Sequence, residues 1–188
     1  MTDSEVLNIF TETKALLEGH FTLRSGLHSR QFFQCALVLQ YPHHAERLCA
    51  ALAVKLRPLG ASVVISPALG GLFIGHEVAR ALGLRNIFAE KNAEGKLELR
   101  RNFQIASGEK TIVVEDVVTK GGRVQETIDI VRQRGGVLAG VGTLVDRSDG
   151  KVNFGVPLNS LLKLQIETFD PAACPLCQSG SKPIKPGS

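Results

Sequence analysis

The stretch Thr111-Ile112-Val113-Val114-Glu115-Asp116-Val117-Val118-Thr119-Lys120-Gly121-Gly122-Arg123-Val124 decides the fold. It opens on β-branched residues, and such a run without polar interruption reads as a strand buried on both faces. Two adjacent acids follow, Glu115 and Asp116, then Thr119, Lys120 and the pair Gly121-Gly122. After them Val124, Ile128 and Val131 recur at spacings of four and three, which predicts an amphipathic helix. Strand, glycine-bearing turn and helix N-terminus together make an anion site. The first N–H groups of the helix lack internal partners, and the helix dipole favours negative charge there. Glycine lets the main chain approach a phosphate with no Cβ in the way. Thr119 adds a hydroxyl, and Lys120 or Arg123 a charge. A loop for phosphate alone has no use for two carboxylates just before it. Carboxylates accept hydrogen bonds from hydroxyls or hold Mg²⁺. The ligand that uses both halves carries a phosphate at one end and a diol in its middle, as a ribose 5-phosphate does. The plain alternative is a strand-end acid pair beside a solvated turn. The joint presence of acids, hydroxyl, glycines and cations argues against it.

Working outward, the same strand–loop–helix grammar recurs upstream. A helix is predicted over Ala45–Leu59 after Pro42, and a strand over Ser62–Ser66. A glycine loop at Pro67-Ala68-Leu69-Gly70-Gly71 and a helix over Leu72–Leu82, closed by Gly83, follow. Asn86–Ala89 reads as a short strand. The segment Glu90–Arg101 is densely charged, and its alternation from Lys96 to Arg100 suggests a flexible hairpin. Downstream, Arg134-Gly135-Gly136 ends the central helix. Val137–Val145 then gives a βαβ crossover and a parallel sheet, ending in Asp146-Arg147. An Arg at the carboxyl end of a parallel strand faces the ligand crevice of such sheets.

At the N-terminus Thr2-x-x-Glu5 has the form of a capping box. Val6, Leu7, Phe10 and Leu17 make a helical stripe that Gly19 stops. Phe21 to Phe33 reads as two strands about a turn at Ser25-Gly26. It carries Arg24, His28 and Arg30 beside Phe32 and Phe33, a mixture suited to a flat anionic ring. A last strand region is expected over Leu158–Thr168. The tail holds one C-x-x-C, Cys174 and Cys177. A structural zinc needs two further ligands and no second cysteine pair exists, so the pair reads as a structural turn, or at most an opportunistic metal or disulfide site. No side chain is assigned as a metal ligand. The final residues, Lys182–Ser188, are expected to be extended and partly mobile.

The run Val113–Gly122 resembles the phosphoribosyl-pyrophosphate signature of the type I phosphoribosyltransferases: hydrophobics, two acids, two hydrophobics, Thr, a variable residue, Gly. Neither G-x-x-x-x-G-K-[ST] nor G-x-G-x-x-G occurs. Phe21-Thr22-Leu23-Arg24-Ser25-Gly26, followed by Ser29 and Phe32-Phe33, resembles the N-terminal segment of the orotate phosphoribosyltransferases. The resemblance covers roughly residues 17 to 150. It implies an α/β fold of the type I phosphoribosyltransferase kind, a parallel sheet flanked by helices with an N-terminal hood. The whole chain, 1–188, is expected to be one domain, its hood mainly 1–40 plus the C-terminal segment and its core about 45–150.

The reaction implied is transfer of ribose 5-phosphate from phosphoribosyl pyrophosphate to N1 of orotate, with Mg²⁺, in pyrimidine biosynthesis. Asp116 and Lys91 take the catalytic positions. Glu115, Asp116, Val117, Val118, Thr119, Lys120, Gly121, Gly122, Arg123, Arg24 and Lys91 take those for phosphoribosyl pyrophosphate, and Thr119, Arg147, Phe32 and Phe33 those for orotate. Two departures stand out. Position 24 is Arg where many members have Lys, which is not an equivalent cation. Position 70 is Gly where many have Lys, leaving pyrophosphate to main-chain N–H groups or a cation from elsewhere. The lid of many members has Arg-Lys, a further Lys and a His. Here the first pair is Glu90-Lys91, with Lys96, Arg100 and Arg101 nearby. The resemblance also implies a homodimer whose lid reaches the neighbouring site.

Composition agrees. The chain has 188 residues, 44% hydrophobic and 5% aromatic with no Trp, which suits one aliphatic α/β core. A net charge of +4 fits small anions as well as nucleic acid and by itself decides little. The basic residues are scattered and no helix-turn-helix is evident, so no nucleic-acid partner is expected. No apolar run reaches membrane-spanning length and the N-terminus is acidic, so a cytoplasmic protein is expected. Two other readings remain: transfer to a purine base, and a non-catalytic regulator that senses phosphoribosyl pyrophosphate.

Overall fold

A computed structural model describes residues 1–23 and 25–186, so Arg24 lies outside the described residues. The centre is a six-stranded sheet in the order β5-β4-β3-β6-β7-β8. Its strands are β3 (Val63–Pro67), β4 (Arg85–Lys91), β5 (Leu97–Leu99), β6 (Lys110–Val118), β7 (Val137–Asp146) and β8 (Leu158–Lys163). All adjacent pairs are parallel except β4 with β5. Helices α3 (Pro42–Leu56) and α4 (Gly71–Leu82) bury Leu48, Leu52, Leu56, Ile74 and Val78 on one face, against Val64, Ile112 and Leu144. Helix α5 (Gly122–Gln133) buries Val124, Ile128 and Val131 on the other, against Val63, Ile65, Val113 and Val141. Successive strand residues thus serve opposite layers, which is why Val63–Ile65 of β3 and Ile112–Val114 of β6 are hydrophobic without interruption. Each fully buried Leu or Ile contributes about 1.5–3 kcal/mol.

The hood is a separate antiparallel sheet, β1-β2-β9, of β1 (Leu16–Thr22), β2 (His28–Phe33) and β9 (Thr168–Phe169). Helix α1 (Asp3–Glu12) has the expected capping box, with the Thr2 N–H donating to Glu5 at 2.7 Å and the Glu5 N–H to Thr2 Oγ1 at 3.3 Å. A short helix, α2 (Ala36–Leu39), leads into α3, and a second, α6 (Pro175–Gln178), follows a 3-10 turn at Pro171–Ala173.

Several expectations are corrected. Helix α1 ends at Glu12, so Leu17 and Gly19 belong to β1. Pro42 is inside the first turn of α3, where its missing N–H costs nothing, and Arg57–Leu59 tightens into a 3-10 turn. The expected single strand over Leu158–Thr168 is two strands in different sheets, β8 in the centre and β9 in the hood. The expected charged hairpin is present as the antiparallel β4–β5 pair, with its tip organised by Asn92: its Oδ1 accepts from the N–H groups of Glu94 and Lys96, each at 3.0 Å. The tail is anchored, since Ile184 accepts from Thr22 N–H and donates to His20 C=O, both at 2.9 Å.

Candidate active site

Two strand–loop–helix turns meet at the carboxyl end of the sheet, where ligands of parallel sheets bind. A Cβ built at Gly70 would lie 3.3 Å from Asp116 Oδ2, and one at Gly71 would lie 3.3 Å from Glu115 Oε1. The β3–α4 loop therefore packs against the acid pair, and a side chain at either position would press on the neighbouring carboxylate. Glu115 is buried, with its Oε1 accepting the Asp116 N–H at 3.1 Å. Asp116 is half-buried, with its Oδ1 accepting the Val117 N–H at 2.8 Å. Among the described residues neither acid has a Lys or Arg within ion-pair distance. Burial, with the neighbouring Asp116 carboxylate, pushes Glu115 up to about 9, and burial also raises Asp116. Two buried, uncompensated carboxylates side by side are unstable as anions and are stabilised by hydroxyl donors or a cation.

The main chain of this loop is held from two sides. Thr143 Oγ1 in β7 donates to the Asp116 carbonyl at 3.0 Å, and the Cys35 thiol approaches the same oxygen at 3.9 Å. Burial, followed by the Asp116 and Glu115 charges, drives the Cys35 thiol well above its usual range, so it stays a neutral, packed group. Sequence reading missed both contacts: Thr143 sits in an apolar strand and Cys35 in an apolar turn, and neither carries a motif.

Past the acids, Val118 is buried and Val117 packs against the core, so these two offer main chain only. Thr119, Lys120 and Gly122 are exposed at the mouth of α5. Gly121 has φ +74°, and a Cβ there would meet Phe154 Cζ at 2.9 Å. Both the left-handed turn and the close ring require glycine. The Gly122 and Arg123 N–H groups head a twelve-residue helix whose cap residue provides no side-chain acceptor. The Arg123 guanidinium is committed elsewhere, to Glu126 at 2.7 Å and to the Gly95 carbonyl at 3.4 Å. It therefore ties α5 to the hairpin tip rather than standing free over a phosphate.

In the β4–β5 hairpin, Arg101 grips Glu90 through two hydrogen bonds, 2.7 and 2.8 Å, and Arg100 pairs with Glu98 at 3.3 Å. Lys91 and Lys96 are exposed and have no ion pair among the described residues. Arg147 follows β7, held by its N–H to the Val118 carbonyl at 2.8 Å. Its Nε is buried with no partner, and burial lowers the guanidinium's hold on its proton. A buried cation donor left unpaired is costly unless a ligand anion completes it.

The hood residues sort differently from expectation. Phe33 turns into the core, its ring edge-on to Phe10 at 4.6 Å, while Phe32 leans on Phe21 at 5.8 Å. Consecutive strand residues face opposite ways, so the two rings cannot both stack on one base. Arg30 lies 3.9 Å from Glu167 and over Phe169, and His28 is buried against His20, so neither stands free for an anionic ring.

Residues 40–155 match the family described as the phosphoribosyl transferase domain. The chain is 50% identical over 188 residues to an orotate phosphoribosyltransferase of Desulforamulus reducens, covering all of this chain and 98% of that one. It is 52% identical over 186 residues to that of Carboxydothermus hydrogenoformans, covering 98% and 97%. Among solved structures, an orotate phosphoribosyltransferase from Aeropyrum pernix superposes with a TM-score of 0.73 at 24% identity, covering 85% of this chain and 93% of that one. An adenine phosphoribosyltransferase from Thermoanaerobacter pseudethanolicus gives 0.64 at 21% identity, covering 71% and 88%, so the fold alone does not choose the base.

Proposed function

The chain belongs to the phosphoribosyl transferase family, and from that premise we propose that it is an orotate phosphoribosyltransferase, moving ribose 5-phosphate from phosphoribosyl pyrophosphate to N1 of orotate. Full-length identity of 50% to orotate enzymes favours this base over a purine. The observation that carries the chemistry is the pair Glu115 and Asp116, without an ion-pair partner among the described residues and facing the Gly70-Gly71 loop.

Each group has a task that its position suits. The two acids accept hydrogen bonds from the ribose hydroxyls. Thr119 Oγ1, the N–H groups of Gly122 and Arg123, and Lys120 hold the 5′-phosphate. Arg147 pairs its open Nε with the carboxylate of orotate. The hood meets the base through Phe32 and the main chain of Phe33, and Arg24 serves phosphoribosyl pyrophosphate. Attack by N1 on the anomeric carbon forms the C–N bond as the C–O bond to pyrophosphate breaks; the electron pair leaves with pyrophosphate, and the N1 proton is released to pyrophosphate or solvent. Positive character develops on the ribosyl ring, where the two carboxylates stabilise it. Lys91 and Lys96, free of ion pairs in the hairpin, neutralise the departing pyrophosphate and exclude water. They are also the cations left to replace a Lys at Gly70.

The acid pair suits Mg²⁺: its oxygens are hard donors, adjacent, and have no Lys or Arg at ion-pair distance among the described residues. When bound, Mg²⁺ supplies charge neutralisation for the pyrophosphate. A homodimer is the expected assembly, and Leu69 and Phe73, 80% and 67% exposed beside the site, offer apolar surface to a second copy. No helix among the described residues is long and apolar enough to cross a membrane, and the reading places the enzyme in the cytoplasm. Loss of orotate absorbance on adding phosphoribosyl pyrophosphate and Mg²⁺ tests the assignment. Consumption of adenine, guanine or hypoxanthine with orotate untouched overturns it, and salt-dependent DNA or RNA binding without turnover favours a regulator instead.

A further inference from the structure

The C-x-x-C of the tail does not stand alone. The fold brings His20 from β1 and His28 from β2 to Cys174 and Cys177, some 150 residues away in sequence. The four donor atoms all lie within 4.8 Å of one another. His20 Nε2 is 3.0 Å from His28 Nδ1, 3.6 Å from Cys174 Sγ and 3.9 Å from Cys177 Sγ. Cys177 Sγ is 3.4 Å from His28 Nδ1. A tetrahedral zinc with Zn–N near 2.0–2.1 Å and Zn–S near 2.3 Å requires donor separations of about 3.4 Å for N–N and about 3.6 Å for N–S. The three N–S distances, 3.4, 3.6 and 3.9 Å, lie around the second value, and the N–N distance of 3.0 Å is shorter than the first, so the two imidazoles move apart by a few tenths of an ångström to admit the ion. The expectation that the cysteine pair lacks two further ligands is corrected: the partners are histidines from another part of the chain, not a second C-x-x-C.

The surroundings point the same way. His20, His28 and Cys174 are buried, and both cysteines are free thiols. A hydrogen bond from His20 Nδ1–H to the Ser181 carbonyl at 3.2 Å leaves the Nε2 lone pair aimed at the cluster, as a second-shell carbonyl does for a metal-bound histidine. Two thiolates balance a divalent ion, so the occupied site is neutral and its burial is not penalised by net charge. No carboxylate belongs to the cluster. Soft sulfur with imidazole selects zinc over Mg²⁺.

We propose that His20, His28, Cys174 and Cys177 form a four-coordinate structural zinc site that staples the C-terminal tail to the β1–β2 hairpin of the hood. Binding releases the two thiol protons to solvent and requires no oxidant. With all four positions taken by protein, the site has no open position for substrate, so its role is mechanical. It ties β1 to β2 and works together with the Ile184 pairing on β1.

The test uses the full chain without a histidine tag. Elemental analysis of the purified protein is expected to give one zinc per chain. Exchange into Co²⁺ after chelation is expected to give a thiolate-to-cobalt charge-transfer band, which carboxylates such as Glu115 and Asp116 cannot produce. The double variant Cys174→Ser/Cys177→Ser is expected to lose the zinc and the band and to melt about 5 °C lower or more. The wild-type cobalt spectrum is independent of whether that variant folds. Wild type without metal and without the band, or a Cys174–Cys177 disulfide in protein purified under reducing conditions, would overturn the proposal. So would full zinc retention in the double variant.

Discussion

The β6–α5 turn and the hood cluster are both places where side chains converge for a cation, yet they differ in every physical respect. The turn takes Glu115 and Asp116 from consecutive positions, offers hard oxygen, and opens toward solvent through exposed Thr119, Lys120 and Gly122. The cluster takes His20, His28, Cys174 and Cys177 from two ends of the chain, offers soft sulfur and nitrogen, and is closed. An open site with unsatisfied groups performs chemistry, while a closed one with every position filled holds structure. The two should therefore come apart under mutation.

The largest expected effect falls on the turn. Asp116→Asn keeps the shape and hydrogen-bond reach of the side chain but removes the charge that steadies a cationic ribosyl centre. Turnover should drop about a hundredfold or more, with the melting temperature unchanged. Equal steady-state rates in variant and wild type would break the assignment of this site. The cluster should behave inversely. His28→Ala should lower the melting temperature by about 5 °C while turnover at saturating substrate falls less than about tenfold. A variant that lost turnover completely while melting normally would erase the distinction between the regions.

How much of each region was legible follows from chain distance. The turn could be read because its ligand groups are contiguous: period-2 and period-3.6 patterns place them, and Gly121 marks the backbone that must turn left-handed. The cluster was invisible because His20 and His28 look like ordinary hairpin residues until β9 and the tail close over them. Phe33 was misplaced for a related reason. Sequence shows two aromatics together, but only strand pleating sends one of them into the core against Phe10. The cations of the charged segment looked alike in sequence, and pairing distinguishes them: Arg101 with Glu90, Arg100 with Glu98, and Lys91 and Lys96 without an ion pair among the described residues.

That pairing gives a smaller, sharper contrast inside the lid. Lys91→Ala should lower kcat/KM about tenfold, because an uncommitted cation is lost from the leaving-group side. Arg101→Ala should change it less than about twofold, since that guanidinium already serves Glu90 at the surface. If Arg101 proved the more costly loss, the ion pair would have to open during closure, and the hairpin would be a switch rather than a scaffold.

The smallest effect is a pH slope in stability, and it separates the two regions without any substrate. In protein kept free of divalent ions, burial and the Asp116 charge raise Glu115 from 4.5 to about 9. A group whose pKa is raised by folding binds its proton more tightly in the folded state. Its contribution is complete below the unfolded value and is lost as pH climbs toward the folded one. The melting temperature should therefore decline by a few degrees between about pH 5 and pH 9. Glu115→Gln, which cannot ionise, should flatten that decline and melt higher than wild type at the alkaline end, while losing activity. Such a variant would have gained stability by giving up the strained anion that the ligand is built to relieve. A wild-type slope that persisted unchanged in Glu115→Gln would mean that the alkaline loss arises elsewhere, and that the carboxylate is already comfortable as an anion before any ligand arrives.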